Sequence, residues 1–170
     1  MHAHSQTELE DRLWKEIEKA RYGMLGVVGR APARHFQPMT AFCERDEGQI
    51  WFFSRTDTHL AQQVERGGGD AMFVVLAKDQ GFQACIGGRL TQRLDPRRMA
   101  DYWNPVVAAW YPEGQHDPRL TMLCLEATDA QVWLSETNPL AFGFQIVKAN
   151  MTGHDPNVGE SAPVDLTHGT

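Results

Sequence analysis

The sequence lacks the features that would tie the protein to a membrane or to nucleic acid. No stretch of its 170 residues approaches the ~18 consecutive apolar residues of a membrane-spanning helix. The first twelve residues contain no apolar core of a secretion signal. Acidic residues outnumber basic ones, 22 to 16, whereas nucleic acids and anionic membranes are recognised through an excess of Lys and Arg. We therefore expect a cytoplasmic protein with neither kind of partner.

Cysteine is also scarce, and the motifs of several catalytic and metal-binding classes are missing. Cys43, Cys85 and Cys124 are far apart and form no CxxC pair, so buried, reduced thiols are expected. The histidines have no HxxxH-type spacing, and Ser54 has no GxSxG context. Gly67-Gly68-Gly69 follows a helical pattern and not a strand, which excludes a dinucleotide-binding turn or P-loop. The sequence predicts no metal site and no nucleophilic triad.

Apolar residues make up 42% of the chain and fall in short runs that suit β-strands. Six or seven such runs follow one another directly, and helical patterns interrupt them only near the start, at 58–66 and at 95–111. This order disfavours a doubly wound α/β fold and favours a mainly β fold, a β-barrel with flanking helices. We expect a single domain over residues 1–150 and a loose tail over 151–170.

Local patterns give more detailed expectations. Thr7-Glu8-Leu9-Glu10 has the spacing of a capping box at the start of the first helix. Residues 120–134 are interpreted as two strands joined by a turn at Asp129, and 141–148 as a last strand or a short amphipathic segment. Gly87-Gly88, inside a long apolar run, predicts a bend or bulge.

The central feature is the stretch 34–64, which combines a hairpin with the start of a helix. Strand-forming residues flank the turn Asp46-Glu47-Gly48, and Thr58 has the position of a helix N-cap. Hydroxyl, cationic and main-chain N–H groups are therefore expected together at a helix start, which suits an anion such as a phosphate. The side chains concerned are those of Ser54, Arg55, Thr56, Thr58 and His59. The alternative is a solvated loop that only caps the helix.

Short motifs occur in a characteristic order along the chain. They are PMT (38–40), IWFFS (50–54) with Thr58-His59, Trp103-Asn104-Pro105, WYPEG (110–114), Asp117-Pro118 and QVW (131–133). In this combination, over roughly residues 8–148, the chain resembles the FMN-binding split-barrel proteins related to pyridoxamine 5'-phosphate oxidase. The general stress proteins of that superfamily are closer still. The resemblance implies a split barrel, bound FMN, and a homodimer with both flavins at the interface.

The resemblance also implies which residues hold the flavin. Residues 37–40 would flank the ring, Phe53 and Ser54 would contact the ring or ribityl chain, and Thr58 and His59 the phosphate. Gln83 and Trp133 lie where the oxidases carry a flavin-contacting glutamine and a tryptophan that reaches the flavin from the other subunit. The implied FMN-binding residues are Gln37, Pro38, Met39, Thr40, Phe53, Ser54, Arg55, Thr58, His59, Leu60, Gln83 and Trp133.

Two positions in this set depart from the family pattern. Relatives often have Arg where this chain has Gln37, and Lys where it has Leu60. Each basic residue would supply a charge-assisted bond worth about 1.5–3 kcal/mol. Arg34, Arg55 and His59 are the residues that could replace them in part. In one interpretation Leu60 points toward the phosphate; in the other it is a core position of its helix.

The functional expectation has three alternatives. The first is a flavin-dependent oxidoreductase acting on an unidentified small molecule, with a possible role in stress response. The others are a flavin-sequestering stress protein without turnover and a flavin-free dimeric binding module. The basic carboxyl-terminal segment of the oxidases has no counterpart in FGFQIVKAN (142–150), so true pyridoxamine 5'-phosphate oxidase activity is not expected. The sequence identifies no general acid or base.

Overall fold

The computed structural model describes residues 4–29 and 35–167, which form an antiparallel sheet of eight strands flanked by five α-helices. The strands are β1 (Tyr22–Val27), β2 (Gln37–Thr40), β3 (Phe42–Glu44), β4 (Gln49–Arg55), β5 (Gly69–Leu76), β6 (Phe82–Gln92), β7 (Leu120–Ser135) and β8 (Gly159–Asp165). The helices are α1 (Gln6–Ala20), α2 (His59–Val64), α3 (Pro96–Tyr102), α4 (Pro105–Ala108) and α5 (Pro139–Thr152). No described helix is long and apolar enough to cross a lipid bilayer.

The strands lie in the order β2-β1-β5-β6-β7-β4-β3, and β8 pairs with β7 outside this path. Every strand pair is antiparallel. Although β2 and β4 do not pair, they lie close together, so the sheet curls until its two ends approach each other. The prediction of a mainly β, barrel-like fold with flanking helices is confirmed.

The main core fills the concave face of this curled sheet. Alternate strand residues such as Ile50, Phe52, Phe73 and Val75 point into it, as the two-residue period of a strand requires. The apolar stripe of α1 packs in the same core through Leu9, Leu13, Trp14 and Ile17. Helix α2 contributes Leu60, Ala61 and Val64.

A second apolar cluster covers part of the convex face. Trp51 of β4 and Met122 and Cys124 of β7 point outward there, and the α3–α4 segment packs over them. The helices contribute Met99 and Val107 to the cluster, and Tyr111 lies just after α4. Cys43, Cys85 and Cys124 are all free thiols.

Elements with strong local signals form as predicted. The 46–48 turn is a short 3-10 segment closed by Gly48, whose φ of 61° lies in the left-handed region that favours glycine. It joins β3 to β4. Thr58 caps α2 as predicted. The structure also shows Asp95 as the cap of α3, with Pro96 in the first turn of that helix. The prediction differed in one respect, because β2 pairs with β1 and only β3 pairs with β4.

Three other predictions are wrong. The capping box of α1 is made by Ser5 and Glu8, whose side chains each accept from the other's backbone N–H, and not by Thr7 and Glu10. Residues 120–135 form one strand without a turn at Asp129. Of the two alternatives for 141–148, the strand is wrong, because the segment lies within the longer helix α5.

The carboxyl-terminal segment also differs from the expectation of a loose tail. Residues 159–165 form β8, which pairs with β7 over Asp129–Ser135. The composition of this segment indicated loop, but backbone pairing with a distant strand overrides local propensity. The proposed domain division near residue 150 stays a prediction.

The continuity of β7 depends on a bulge opposite Gly87-Gly88. Gly87 pairs with Asp129 and Gly88 with Ala127, so Thr128 is the extra residue. A Cβ atom at Gly88 would lie 2.1 Å from the carbonyl oxygen of Glu126, which explains the requirement for glycine. The predicted irregularity is therefore confirmed, and it allows β7 to bend without ending.

Candidate functional site

The start of α2 and the end of β4 bring two hydroxyl groups together. Thr58 Oγ1 accepts from the Ala61 backbone N–H at 3.2 Å and donates to the Arg55 carbonyl at 2.9 Å. The Ser54 hydroxyl lies 3.2 Å from Thr58 Oγ1 and, since the Thr58 proton is already used, it is the donor of that bond. The backbone N–H groups of His59 and Leu60 have no acceptor among the described residues. Hydroxyls and main-chain donors therefore meet at this point, as predicted.

The cations near this point are neutralised by neighbouring carboxylates. Arg55 forms a bidentate contact with Asp57, and the hydrogen bond from Arg55 lowers the pKa of Asp57. Arg119 forms a second bidentate pair with Asp117, and its hydrogen bonds lower the pKa of Asp117 to about 2. The guanidinium of Arg55 is thus held by a carboxylate.

Tyr111 holds the backbone at Ser54 through a hydrogen bond. Its hydroxyl donates to the Ser54 carbonyl at 2.8 Å, and burial raises the pKa of Tyr111 to about 12. The Phe53 ring lies in the same aromatic group, with its centroid 5.6 Å from that of Phe42 and 5.8 Å from that of Trp103. Phe53 is half-buried, so only part of the ring is available to a ligand.

Strand β2 carries the predicted ring-flanking residues, Gln37 to Thr40. Pro38 is exposed, whereas Met39 packs against the main core. Gln37 Nε2 lies 3.6 Å from Met39 Sδ, a weak contact. Strand β2 lies close to β4, the strand that ends with Ser54 and Arg55.

Gln83 and Trp133 form a separate group. They are direct partners on β6 and β7, so both side chains lie on the convex face of the sheet. Trp133 is 43% exposed, and Gln83 Oε1 accepts a long hydrogen bond from the Ser135 hydroxyl at 3.4 Å. Leu76 and Ser161 continue the same row across β5 and β8.

Within a single chain, Gln83 and Trp133 lie far from Ser54 and Thr58. Ser54 pairs with Thr121 at the start of β7, whereas Gln83 pairs with Trp133 near its end. The intervening stretch of a straight strand would measure about 40 Å at roughly 3.3 Å per residue. Bending shortens this distance, but the two groups still lie at opposite ends of the longest strand.

Two neighbouring predicted positions, His59 and Leu60, differ in their burial. Leu60 is only 4% exposed and packs in the main core, so the structure shows the core alternative for its side chain, and only its backbone N–H faces the helix start. His59 is exposed. Arg34 lies outside the described residues.

Sequence reasoning missed the polar residues that support the helix start. Asp57 and the Asp117–Arg119 pair were not singled out, although their two-residue spacing to an arginine is a local signal for such pairs. The Tyr111 contact joins positions far apart in the chain, so no local pattern could have shown it. Within the described ranges, no three His, Cys, Asp or Glu side chains are grouped to hold a metal.

With the fold and this geometry established, comparison with known proteins identifies the family. A family model described as "Pyridoxamine 5'-phosphate oxidase like" matches residues 8–157. The chain belongs to this family. No match was found among curated proteins.

Solved structures give the same result. A structure from Jannaschia sp. CCS1, described as a general stress protein 26, is 31% identical, with a TM-score of 0.76 and coverage of 95% of this chain and 99% of that one. A general stress family protein from Xanthomonas campestris pv. campestris is 37% identical, with a TM-score of 0.71 and coverage of 80% and 93%. The general stress FMN/FAD binding protein from Xanthomonas citri is 39% identical, with a TM-score of 0.68 and coverage of 75% and 89%. The split-barrel fold and the similarity to general stress proteins are thereby confirmed.

Proposed function

We propose that the protein binds FMN and acts as a flavin-dependent oxidoreductase on a small molecule. The observation that carries the flavin proposal is the 39% identity to a general stress FMN/FAD binding protein, over most of both chains. FMN supplies electron or hydride chemistry when bound, and the polypeptide supplies binding, orientation and exclusion of water.

The residues at the start of α2 fit the phosphate end of this cofactor. The backbone N–H groups of His59 and Leu60, which have no acceptor in the described part of the chain, can donate to phosphate oxygens. Ser54 can turn its proton from Thr58 to a ligand, because Thr58 Oγ1 keeps the Ala61 amide as a donor.

The charge balance predicts moderate affinity. Gln37 is neutral, and the Arg55 guanidinium is held by Asp57. A phosphate must therefore compete with Asp57 for Arg55, at a surface where both groups are partly exposed. This balance favours FMN binding that is weaker than in relatives with Arg and Lys at the two departing positions.

A homodimer would complete the flavin site. Gln83 and Trp133 lie too far along β7 to join the Ser54 group of their own chain, yet both face outward on an exposed part of the sheet. In the proposed dimer, Trp133 of the partner subunit reaches the flavin held at Ser54 and Thr58. Apolar residues around it, including Met72 and Leu76, would become interface.

The proposal is tested by titrating the purified protein with FMN, riboflavin and FAD while flavin fluorescence is measured. FMN is expected to bind at least about tenfold more tightly than riboflavin, since one charge-assisted contact is worth that much. Equal affinity for FMN and riboflavin would show that there is no phosphate site.

Asp57→Asn makes this test specific to the helix start. The variant frees Arg55 and removes a carboxylate near the phosphate, so FMN affinity should rise, by up to about tenfold, with riboflavin affinity unchanged. Asp46→Asn changes the net charge equally at the β3–β4 turn and is the control. A similar gain in both variants would reflect overall charge and contradict the assignment.

Flavin sequestration without turnover is the second candidate function. It is favoured by the pairing of the charged groups near Ser54, where Arg55 and Arg119 are held by Asp57 and Asp117. Chemically reduced protein–FMN complex should be reoxidised by small acceptors faster than free reduced FMN if the protein is an oxidoreductase. Reoxidation slower than in free solution, with every acceptor tried, would favour sequestration.

A further inference from the structure

Arg98 of helix α3 joins three carboxylates on the convex side of the sheet. Its guanidinium nitrogens lie 2.6 Å from a carboxylate oxygen of Glu47, 3.3 Å from one of Glu44 and 3.4 Å from one of Asp95. Only 16% of the Arg98 side chain is exposed, and the guanidinium lies over the ring of Trp51. A planar guanidinium with several partners is held in one geometry, unlike the members of an exposed ion pair. Arg98 is therefore a fixed contact between α3 and the β3–β4 hairpin.

Tyr102, one helical turn after Arg98, makes a second contact with the same hairpin. Its hydroxyl donates to the Glu44 carboxylate, and its ring stacks on that of Phe42 with the centroids 4.8 Å apart. Residues four positions apart lie on the same side of a helix, so one side of α3 is held on the hairpin at two points.

The chain segment 95–111, which contains α3 and α4, reaches the candidate site at its other end. Trp103 follows α3 directly, and its ring centroid lies 5.8 Å from that of Phe53 and 6.0 Å from that of Tyr111. The Tyr111 hydroxyl donates to the Ser54 carbonyl at 2.8 Å. The segment thus contacts β4 from its hairpin end to Ser54, a length of about 17 Å at roughly 3.3 Å per residue.

We propose that Arg98 is a positioning residue for the candidate site at the start of α2. It holds segment 95–111 on the hairpin, and the segment holds Tyr111 where its hydrogen bond fixes the Ser54 backbone. Among the described residues, Arg98 forms no hydrogen bond or ion pair with Ser54 or Thr58, so its effect passes through the segment. The inference rests on the proposed FMN site and adds to it a residue outside that site.

The alternative role for Arg98 is stabilisation of α3 alone. Loss of a purely structural contact lowers the free energy of unfolding but changes the affinities for FMN and riboflavin by the same factor. A displaced Ser54 hydroxyl, in contrast, weakens only the binding of the flavin that carries a phosphate. The ratio of FMN affinity to riboflavin affinity therefore distinguishes a positioning role from a structural one.

The experiment measures this affinity ratio by fluorescence titration of purified wild type and variants. Arg98→Ala is expected to lower the ratio about fivefold, which lies within the range of couplings transmitted through packed side chains. Arg97→Ala removes the same charge from a neighbouring position of α3 whose side chain is 91% exposed, and it should change the ratio less than about twofold.

Glu47→Ala breaks the same contact from the hairpin side. Half of the Glu47 side chain is exposed, so this variant should fold even if Arg98→Ala does not. Removing a negative charge would by itself favour a phosphate, yet the ratio is expected to fall about twofold to threefold. Asp46→Ala removes the same charge from the same turn, at a residue that is not paired with Arg98, and should not lower the ratio.

The double variant Arg98→Ala/Tyr111→Phe tests whether the effect passes through Tyr111. Its affinity ratio should equal that of Tyr111→Phe alone, because the hydrogen bond to Ser54 is already absent. Thermal melting shows which variants are folded at the temperature of titration. Additive losses in the double variant would overturn the inference. So would a ratio for Arg98→Ala, or for Glu47→Ala where Arg98→Ala is unfolded, that does not differ from that of its control.

Hydrogen exchange of the flavin-free protein judges the inference separately from the proposed function. Arg98→Ala, but not Arg97→Ala, is expected to accelerate amide exchange in residues 54–61 as well as in 95–111. Acceleration in 95–111 alone would overturn the inference. If the wild type binds FMN and riboflavin equally while exchange in 54–61 responds as expected, only the proposed phosphate site is rejected.

Discussion

The convex face of the sheet has two halves that differ in how they are covered. We call the half formed by β3, β4 and the first part of β7 the covered half, because α3, α4 and Tyr111 pack over it. The half formed by β1, β5 and β6 with the end of β7 we call the bare half. Its exposed apolar residues are Tyr22, Met24, Met72, Leu76 and Trp133.

Both halves carry large apolar residues at outward positions, so the difference does not arise from the strands. On the covered half, Trp51 is 1% exposed and lies below the guanidinium of Arg98, 4.9 Å from its ring centroid. Arg98 also pairs with Glu44 and Glu47, which ties α3 to the β3–β4 hairpin. The α3–α4 segment covers one half, whereas no described part of the chain covers the apolar residues of the bare half.

The largest expected difference in unfolding free energy between the two halves comes from replacing a tryptophan on each of them. Trp51→Ala removes a buried ring and should lower the free energy of unfolding by about 3–5 kcal/mol. Trp133→Ala should cost the subunit less than about 1 kcal/mol, because much of that ring is already exposed. Urea unfolding at low protein concentration measures both values. Equal losses would contradict the division into two halves.

A second test uses the buried position in α2. Leu60→Lys puts an unpaired ammonium group in the main core, so unfolding free energy should fall by about 3 kcal/mol or more with no gain in FMN affinity. Gln62→Lys adds the same charge at an exposed position of the same helix and is the control. Thermal melting and FMN titration of both variants together show whether residue 60 lies in the core or faces the phosphate. Tighter FMN binding in Leu60→Lys alone would restore the interpretation in which this side chain faces the phosphate.

Tyrosines on the two halves give a smaller and sharper contrast. Tyr111→Phe deletes a buried hydrogen bond and leaves the Ser54 carbonyl without that donor, at a cost of about 1–2 kcal/mol. Because this bond fixes Ser54, FMN affinity should fall as well. Tyr22→Phe, on the bare half, should alter neither quantity in the dissociated subunit. If Tyr111→Phe lowered stability but left FMN affinity unchanged, the Tyr111 hydrogen bond would have no role in FMN binding.

The smallest effect concerns the loop that returns from α4 to β7. The pKa of Asp117 is lowered to about 2 by hydrogen bonds from Arg119, whereas an unfolded chain has a value near 3.9. The stabilisation is therefore complete above about pH 4 and is lost as the pH falls through about 2. Asp117→Asn should flatten the stability profile in this acid range.

Elements with strong local signals could be predicted from the sequence. The Asp46–Gly48 turn, the Thr58 cap and the Gly87-Gly88 irregularity each depend on residues within a few positions of one another. For the same reason, the hydroxyls of the candidate site were found together at the start of α2.

The predictions that failed concern long-range packing. Asp129 was interpreted as a turn between two strands, but pairing with β6 and β8 on both sides holds it in one strand. The burial of Leu60 depends on where α2 lies against the sheet, which no local pattern specifies. The Tyr111–Ser54 bond spans 57 positions and could not be foreseen.

The pairing of β8 with β7 has a consequence for biosynthesis. One edge of β7, from Asp129 to Ser135, is satisfied only by residues 159–165, which leave the ribosome later than every other described strand. Until then a nascent chain presents an open strand edge, beside the apolar helix α5, to whatever chains are nearby. A chain that ends before residue 159 would therefore keep this edge of β7 open, and β8 is the segment that closes it.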